Sequence, residues 1–151
     1  MTVKEIMKKD VATCTTNDDM TTAVMIMRDH ECRFVPVVGS HGMVVGVVTE
    51  RDLSSAAASQ TNRKAEHTAV FYAMSQPVFS CLPDDTLTEV LVTMAKHHVR
   101  RLPVMDKQGN LQGLLSIDDI VQVPRRHGTP TAEEIVDEFK GIGAPRSKLP
   151  A

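Results

Sequence analysis

Shifted by 67 positions, this chain lies on itself. Met7 meets Met74, Val11 meets Val78, Cys14 meets Cys81 and Asp18 meets Asp85. Further along, Met27 meets Met94, His30 meets His97, Arg33 meets Arg100, Pro36 meets Pro103, Gly46 meets Gly113 and Asp52 meets Asp119. No gap is needed between Val3 and Leu53. Chance does not hold one register that long while matching glycines, prolines and charges, so the chain reads as a duplication. The period is longer than that of a solenoid, which predicts two folded units rather than an array. A repeat of roughly 50–55 residues buries too little surface to be comfortable alone, so the two are expected to share a core.

The duplication sets the boundaries. Repeat one takes residues 1–58, a linker 59–68, repeat two 69–123, and a short helix with a tail 124–151. In each repeat the apolar spacing gives one order of elements. Repeat one reads as an opening helix at 3–9, a strand at 11–15, and a helix from Met20 whose apolar positions fall at Met20, Ala23, Val24 and Met27. A strand follows at 34–38, then a hairpin turn, a returning strand at 43–48, and a helix opened by Thr49. Repeat two follows with an opening helix at 69–74, a strand at 78–82, and a helix carrying Leu87, Val90, Leu91 and Met94. Its paired strands are 102–105 and 111–115, and its last helix, 116–123, stops at Pro124. Thr131 and Glu134 form a capping signature for one more helix, with Gly141 and Gly143 ending it and a loose tail from Pro145.

Composition removes several classes of function. A formal net charge of −2 and a charged fraction of 24% leave no electrostatic footprint for nucleic acid. No apolar run approaches the roughly 18–20 residues that span a bilayer, and the first residues lack a basic-then-apolar leader. Three cysteines without CxxC spacing give neither a disulfide framework nor a zinc site. A cytoplasmic protein without a membrane or nucleic-acid partner is expected.

Thr49-x-x-Asp52 and Ser116-x-x-Asp119 are the residues best placed for chemistry. Alone, each is a helix cap, a hydroxyl followed three residues later by an acid. Both, however, follow a strand whose glycine, Gly46 or Gly113, stands three residues before the hydroxyl. A helix start after a strand suits phosphate or ribose oxygens, and a carboxylate there can accept both hydroxyls of a ribose diol. His30, His97 and His98 lack acidic or cysteine neighbours at ligand spacing, so no metal is expected. No nucleophile constellation surrounds Cys14, Cys32 or Cys81, and no catalytic residue is assigned.

The motifs Met-x-x-x-Val-x-x-Cys, His-x-x-Arg-x-x-Pro-Val and Gly-x-x-[Ser/Thr]-x-x-Asp, each present twice in register over residues 3 to about 123, resemble a pair of CBS (cystathionine-β-synthase) domains, a Bateman module. The resemblance implies an α/β fold of two βαββα repeats packed through their sheets about a pseudo-two-fold axis. It also implies clefts that hold AMP, ADP, ATP, S-adenosylmethionine or a dinucleotide as a regulatory ligand. Asp52 and Asp119 would bind ribose, with Thr49 and Ser116 near ribose or phosphate. Arg100 and Arg101 match a basic pair that contacts phosphate in the γ subunits of AMP-activated kinase. Thr13 with Cys14, and Ser80 with Cys81, would border the adenine. Repeat one carries Arg33-Phe34 where repeat two carries Arg100-Arg101, so the two sites are expected to differ in affinity. The expectation is a homodimeric sensor of an adenosine compound that signals to an effector protein. The alternative is a ligand-independent dimerisation scaffold, which Phe34 favours.

Overall fold

The computed structural model describes residues 1–59 and 67–140. Most of the linker assigned to 59–68 lies outside the described residues, as do Gly141, Gly143 and the tail from Pro145. The chain folds into two compact units, and these are not the two sequence repeats. One gathers Met1–Lys9, Phe79–Val104 and the chain from Gln112 onward; the other gathers Asp10–Val78 and Met105–Leu111. We call them the Asp119 unit and the Asp52 unit.

The Asp52 unit is built on a three-stranded sheet. Strand β1 (Cys14–Thr15) runs parallel to β2 (Phe34–Val38), and β2 pairs antiparallel with β3 (Val44–Thr49). The crossover between β1 and β2 is helix α1 (Met20–Asp29). Asp19 caps α1 by accepting the Thr22 amide at 2.7 Å, which satisfies an otherwise orphaned donor of the first turn. Valines fill β2 and β3 because β-branched side chains suit a pleated, buried surface. Val35, Val37 and Val48 are fully buried against Met20, Ala23 and Met27 of α1. Helix α2 (Glu50–Ser59) closes the unit through Leu53.

The Asp119 unit repeats the plan with a hairpin in place of the sheet. Helix α3 (Leu87–His97) starts at a capping box in which Thr86 and Glu89 serve each other's amides. Strands β4 (Arg101–Met105) and β5 (Leu111–Ser116) form the hairpin, and the short helix α4 (Ile117–Val121) follows. Leu87, Val90, Leu91 and Met94 of α3 pack against Leu102, Val104 and Leu115. Helix α5 (Ala132–Phe139) has the capping box expected at Thr131 and Glu134. It lies against α3 and adds Ile135 and Phe139 to the edge of the core. The strand expected at 78–82 shrinks to one parallel bridge, Cys81 to Val104, where the Cys81 amide donates to the Pro103 carbonyl at 3.1 Å. Pro77 and Pro83 bracket that segment, and neither can donate to a ladder.

The opening helices are also shorter than their apolar spacing suggests. Each is one turn of 3-10 helix, Val3–Glu5 and Val70–Tyr72. The backbone then leaves the helix to pair with a strand: Lys8 exchanges two bonds with Leu114, both 2.9 Å, and Ser75 exchanges two with Val47, 2.7 and 3.2 Å. These two arms are exchanged between the repeats. The arm of repeat one lies on repeat-two residues inside the Asp119 unit, and the arm of repeat two lies on repeat-one residues inside the Asp52 unit. The exchange is matched bond for bond. The Val3 amide donates to Asp85 at 3.0 Å and the Val70 amide to Asp18 at 2.7 Å; the Lys4 amide donates to Pro83 and the Phe71 amide to Thr16. Each core thereby takes one fully buried valine from the other repeat, Val3 in one and Val70 in the other.

The exchange accounts for two glycines. A Cβ on Gly46 would come within 2.6 Å of the Met74 sulfur, and one on Gly113 within 2.7 Å of the Lys8 carbonyl and 2.8 Å of the Met7 sulfur. The glycines are where the crossing arm touches the strand backbone.

Candidate functional site

Asp52 stands in the first turn of α2, three residues after Thr49 at the end of β3. Its Oδ2 accepts the Thr49 amide at 2.8 Å and the Thr49 hydroxyl at 2.9 Å, and the same hydroxyl accepts the Asp52 amide at 3.2 Å. The other oxygen, Oδ1, accepts the hydroxyl of Ser75 at 2.9 Å. Ser75 reaches it because the arm bridges to Val47, two residues before Thr49.

Asp119 repeats this arrangement with one change. Its Oδ2 accepts the Ser116 amide at 2.8 Å and the Ser116 hydroxyl at 2.6 Å, and that hydroxyl accepts the Asp119 amide at 3.2 Å. At Oδ1 stands the ammonium of Lys8, 3.2 Å away. Lys8 occupies the position in repeat one that Ser75 occupies in repeat two. The Asp119 side chain is 14% exposed and that of Lys8 67%. Burial pushes the Asp119 carboxyl up, but the hydroxyl and amide of Ser116 and the Lys8 ammonium outweigh it and hold the group below its ordinary value.

Both carboxylates therefore do the work of a helix cap with one oxygen. Among the described residues the second oxygen is held only by a side chain of the exchanged arm, which can turn aside. Such an oxygen is an acceptor on offer to a hydroxyl-bearing ligand. A carboxylate hydrogen bond of that kind contributes about 1.5–3 kcal/mol when sheltered from water.

The other residues singled out in the sequence are placed as follows. Arg33 pairs with Glu50 at 3.5 Å, both exposed. The position matching Glu50 in repeat two is Ile117, so Arg100 has no such carboxylate beside it. Arg100 is exposed and Arg101 half-buried, and among the described residues neither side chain has an ion-pair or hydrogen-bond partner. Arg100 is tied to the start of α4 through its carbonyl, which accepts the Ile117 amide at 3.0 Å. Thr13 and Ser80 are half-buried and precede the buried Cys14 and Cys81. Burial, with Asp18 and Asp85 respectively nearby, pushes both thiols up to about 12, so they remain protonated and inert. The turns after them are fixed alike, Asp18 accepting the Thr15 amide at 2.7 Å and Asp85 the Leu82 amide at 2.8 Å. Within the Asp119 unit the structure thus brings Lys8 and Ser116 to Asp119. Ser80, Cys81, Arg100 and Arg101 share that unit without bonding to the carboxylate.

A hollow of about 570 Å³ in the Asp52 unit is lined by Val24, Met27, Arg28, Cys32, Arg33 and Leu53 among others. Neither Thr49 nor Asp52 lines it, so it lies apart from the carboxylate. Among the described residues no three His, Cys, Asp or Glu side chains gather to hold a metal ion, and no helix is long and apolar enough to cross a membrane.

The sequence model of the CBS domain matches the chain twice, at residues 3–59 and 69–126. The chain belongs to the CBS-domain family. Its two matches coincide with the duplication, and its fold is that of a CBS pair. It superimposes on the CBS domain pair of protein MJ0100, in complex with methylthioadenosine and S-adenosyl-L-methionine, with a TM-score of 0.72 and 25% identity. That match covers 81% of this chain and 94% of the other. It is 33% identical over 118 residues to the CBS domain-containing protein YhcV of Bacillus subtilis, covering 78% of this chain and 81% of YhcV. It is 30% identical over 118 residues to a homoserine O-acetyltransferase of Methanococcoides burtonii. There the match covers 78% of this CBS pair but only 23% of that protein.

Two residues of this CBS pair escaped the reading of the sequence, Lys8 and Ser75. The signal was present as a mismatch. They are unlike residues at one of several mismatched positions in a register recognised by its matches. Attention to matches passes over the position at which the two centres differ.

Proposed function

We propose that this CBS pair is a regulatory module that binds an adenosine-containing ligand, of the AMP, ADP, ATP or S-adenosylmethionine class, and passes the change to a partner protein. Asp52 and Asp119 accept the ribose diol through Oδ1. Thr49 and Ser116 hold the carboxylates in place, Arg100 and Arg101 meet phosphate, and Thr13-Cys14 and Ser80-Cys81 border the base. The observation that carries this reading is the repeated carboxylate geometry. In each unit one oxygen is fixed by a hydroxyl and an amide, and the other is held, among the described residues, only by a side chain of the exchanged arm. The adenosine ligands of the MJ0100 pair support the ligand class.

Because each arm comes from the other repeat, a ligand that draws Lys8 or Ser75 away acts on both repeats at once. It can bias two arrangements by its differential affinity for them. Exposed Val24 and Met25 on α1 and Val92 on α3 support a homodimer, since such faces gain from cover. Three free cysteines suit a reducing, cytoplasmic setting.

The test is thermal melting of the full chain with AMP, ADP, ATP, NADH and S-adenosylmethionine. A ligand that binds only the folded state at 100 times its dissociation constant adds about 2.7 kcal/mol. The expected result is a concentration-dependent rise in Tm with at least one compound, lost when both Asp52→Ala and Asp119→Ala are present. Melting of an intact dimer that ignores the whole panel would leave a dimerisation scaffold as the function.

A further inference from the structure

The two carboxylate centres differ in the charge of what their outer oxygen holds. At Asp119 it is the Lys8 ammonium, 3.2 Å away. At Asp52 it is the neutral Ser75 hydroxyl, 2.9 Å away. We propose that this pair of equivalent positions sorts ligands by charge: the Asp119 centre takes nucleotides bearing an anionic phosphate, and the Asp52 centre takes nucleosides whose 5′ substituent is uncharged or cationic. The proposal rests on the reading of both carboxylates as acceptors of a ribose diol.

At both centres Oδ2 is already committed to the hydroxyl and amide three residues back. A ligand hydroxyl must therefore approach Oδ1 and compete with the arm residue there. At Asp119 it competes with a cation. The released ammonium stands on a flexible four-carbon stem with its side chain 67% exposed, so it can swing to a new acceptor. A phosphate offers one, and the ion pair is exchanged for another. An uncharged nucleoside offers none, and the ion pair is lost against water alone.

At Asp52 the competitor is a neutral hydroxyl, whose displacement breaks no ion pair. The carboxylate there has no lysine beside it, so its charge disfavours an approaching phosphate and favours a cationic group such as a sulfonium. The basic groups nearest in sequence do not reverse this sign: Arg51 is exposed to solvent on α2, where its charge is screened, and Arg33 is already paired with Glu50. A purely structural role for Lys8 makes a different forecast. An exposed surface ion pair contributes little to stability, and removing it would move Tm slightly and leave ligand preference alone.

The experiment is calorimetric titration of the full chain with adenosine and AMP. Each centre is isolated by Asp52→Asn or Asp119→Asn, which keep side-chain shape and cap. In the Asp52→Asn background, which leaves Asp119, AMP should bind about five- to tenfold tighter than adenosine at low salt. That ratio should fall severalfold on adding Lys8→Ser, leaving only the share that Arg100 and Arg101 supply, and it should shrink as salt is raised. In the Asp119→Asn background adenosine should bind at least as well as AMP, and Ser75→Lys should shift the ratio toward AMP by a similar factor. Melting curves accompany every variant to confirm folding. Ratios unmoved by Lys8→Ser and Ser75→Lys, while the double Asn variant has lost binding, would overturn charge sorting and leave ribose recognition standing. Undiminished binding by the double Asn variant, or no binding by the unaltered chain, would remove both.

Discussion

The Asp52 unit and the Asp119 unit are two copies of one plan, and beyond the third strand of one and helix α5 of the other they differ where the exchanged arm meets the strand. In the Asp52 unit the glycine of β3 faces the sulfur and side-chain carbons of Met74, and the carboxylate faces a hydroxyl. In the Asp119 unit the glycine of β5 faces the carbonyl of Lys8 as well as Met7, and the carboxylate faces an ammonium. The shared features, the bond-for-bond seating of both arms and the two valines, are what folding requires of either repeat. The differences fall on residues that touch the candidate sites. A duplicated chain thus keeps its scaffold common and varies what the scaffold presents.

The largest expected effect breaks the comparison at the glycines. Gly113→Ala should destabilise by about 3 kcal/mol, because the added carbon meets backbone that cannot yield without breaking the Lys8–Leu114 bridge. Gly46→Ala should cost about 1 kcal/mol, since it meets a flexible methionine side chain and no backbone atom among its nearest neighbours. Urea unfolding of both variants measures the gap, and equal losses would show that the arms seat alike after all.

Next come the valines, where the units should behave identically. Val3→Ala and Val70→Ala each empty a fully buried site and should each cost about 2 kcal/mol. A large difference in urea midpoint between them would mean that one arm is only loosely held.

The smallest effect lies at the Asp119 carboxyl. Its folded value is depressed, so it contributes stability above the ordinary aspartate range near about 4, and that contribution is lost as pH falls through the folded value. The stability difference between the unaltered chain and Asp119→Asn should be under about 1 kcal/mol at neutral pH and should shrink on acidification. Lys8→Met should remove part of it. Denaturation midpoints measured from pH 7 down to pH 2 decide this, and a difference that grows on acidification would contradict the assigned sign.

The elements that were legible in the sequence were those fixed by local pattern. Phe34–Val38 is rich in valine, α3 places leucine, valine and methionine at helical spacing, and Thr131 with Glu134 caps α5. Thr49-x-x-Asp52 and Ser116-x-x-Asp119 were legible as caps, and the structure shows those bonds in full. The arm exchange was not legible. A repeat whose opening segment packs on its own strand and one whose segment packs on its twin's strand need the same residues at the same positions. The spacing of Val3, Ile6 and Met7 spoke for a longer helix because strand pairing by Lys8 is a tertiary effect. Gly46 and Gly113 stood out from the start, but their reason lies in Met74, Met7 and the Lys8 carbonyl, far away in sequence.

Because the arms trade places, a cut between the two halves of the gene product would not release two self-sufficient folds. Each fragment would hold a strand edge and a glycine groove stripped of the peptide that covers them, together with a loose arm suited to cover another's. Two such fragments could complete one another, and so could two copies of either one. The covalent join makes that partnership a property of a single molecule, independent of its concentration.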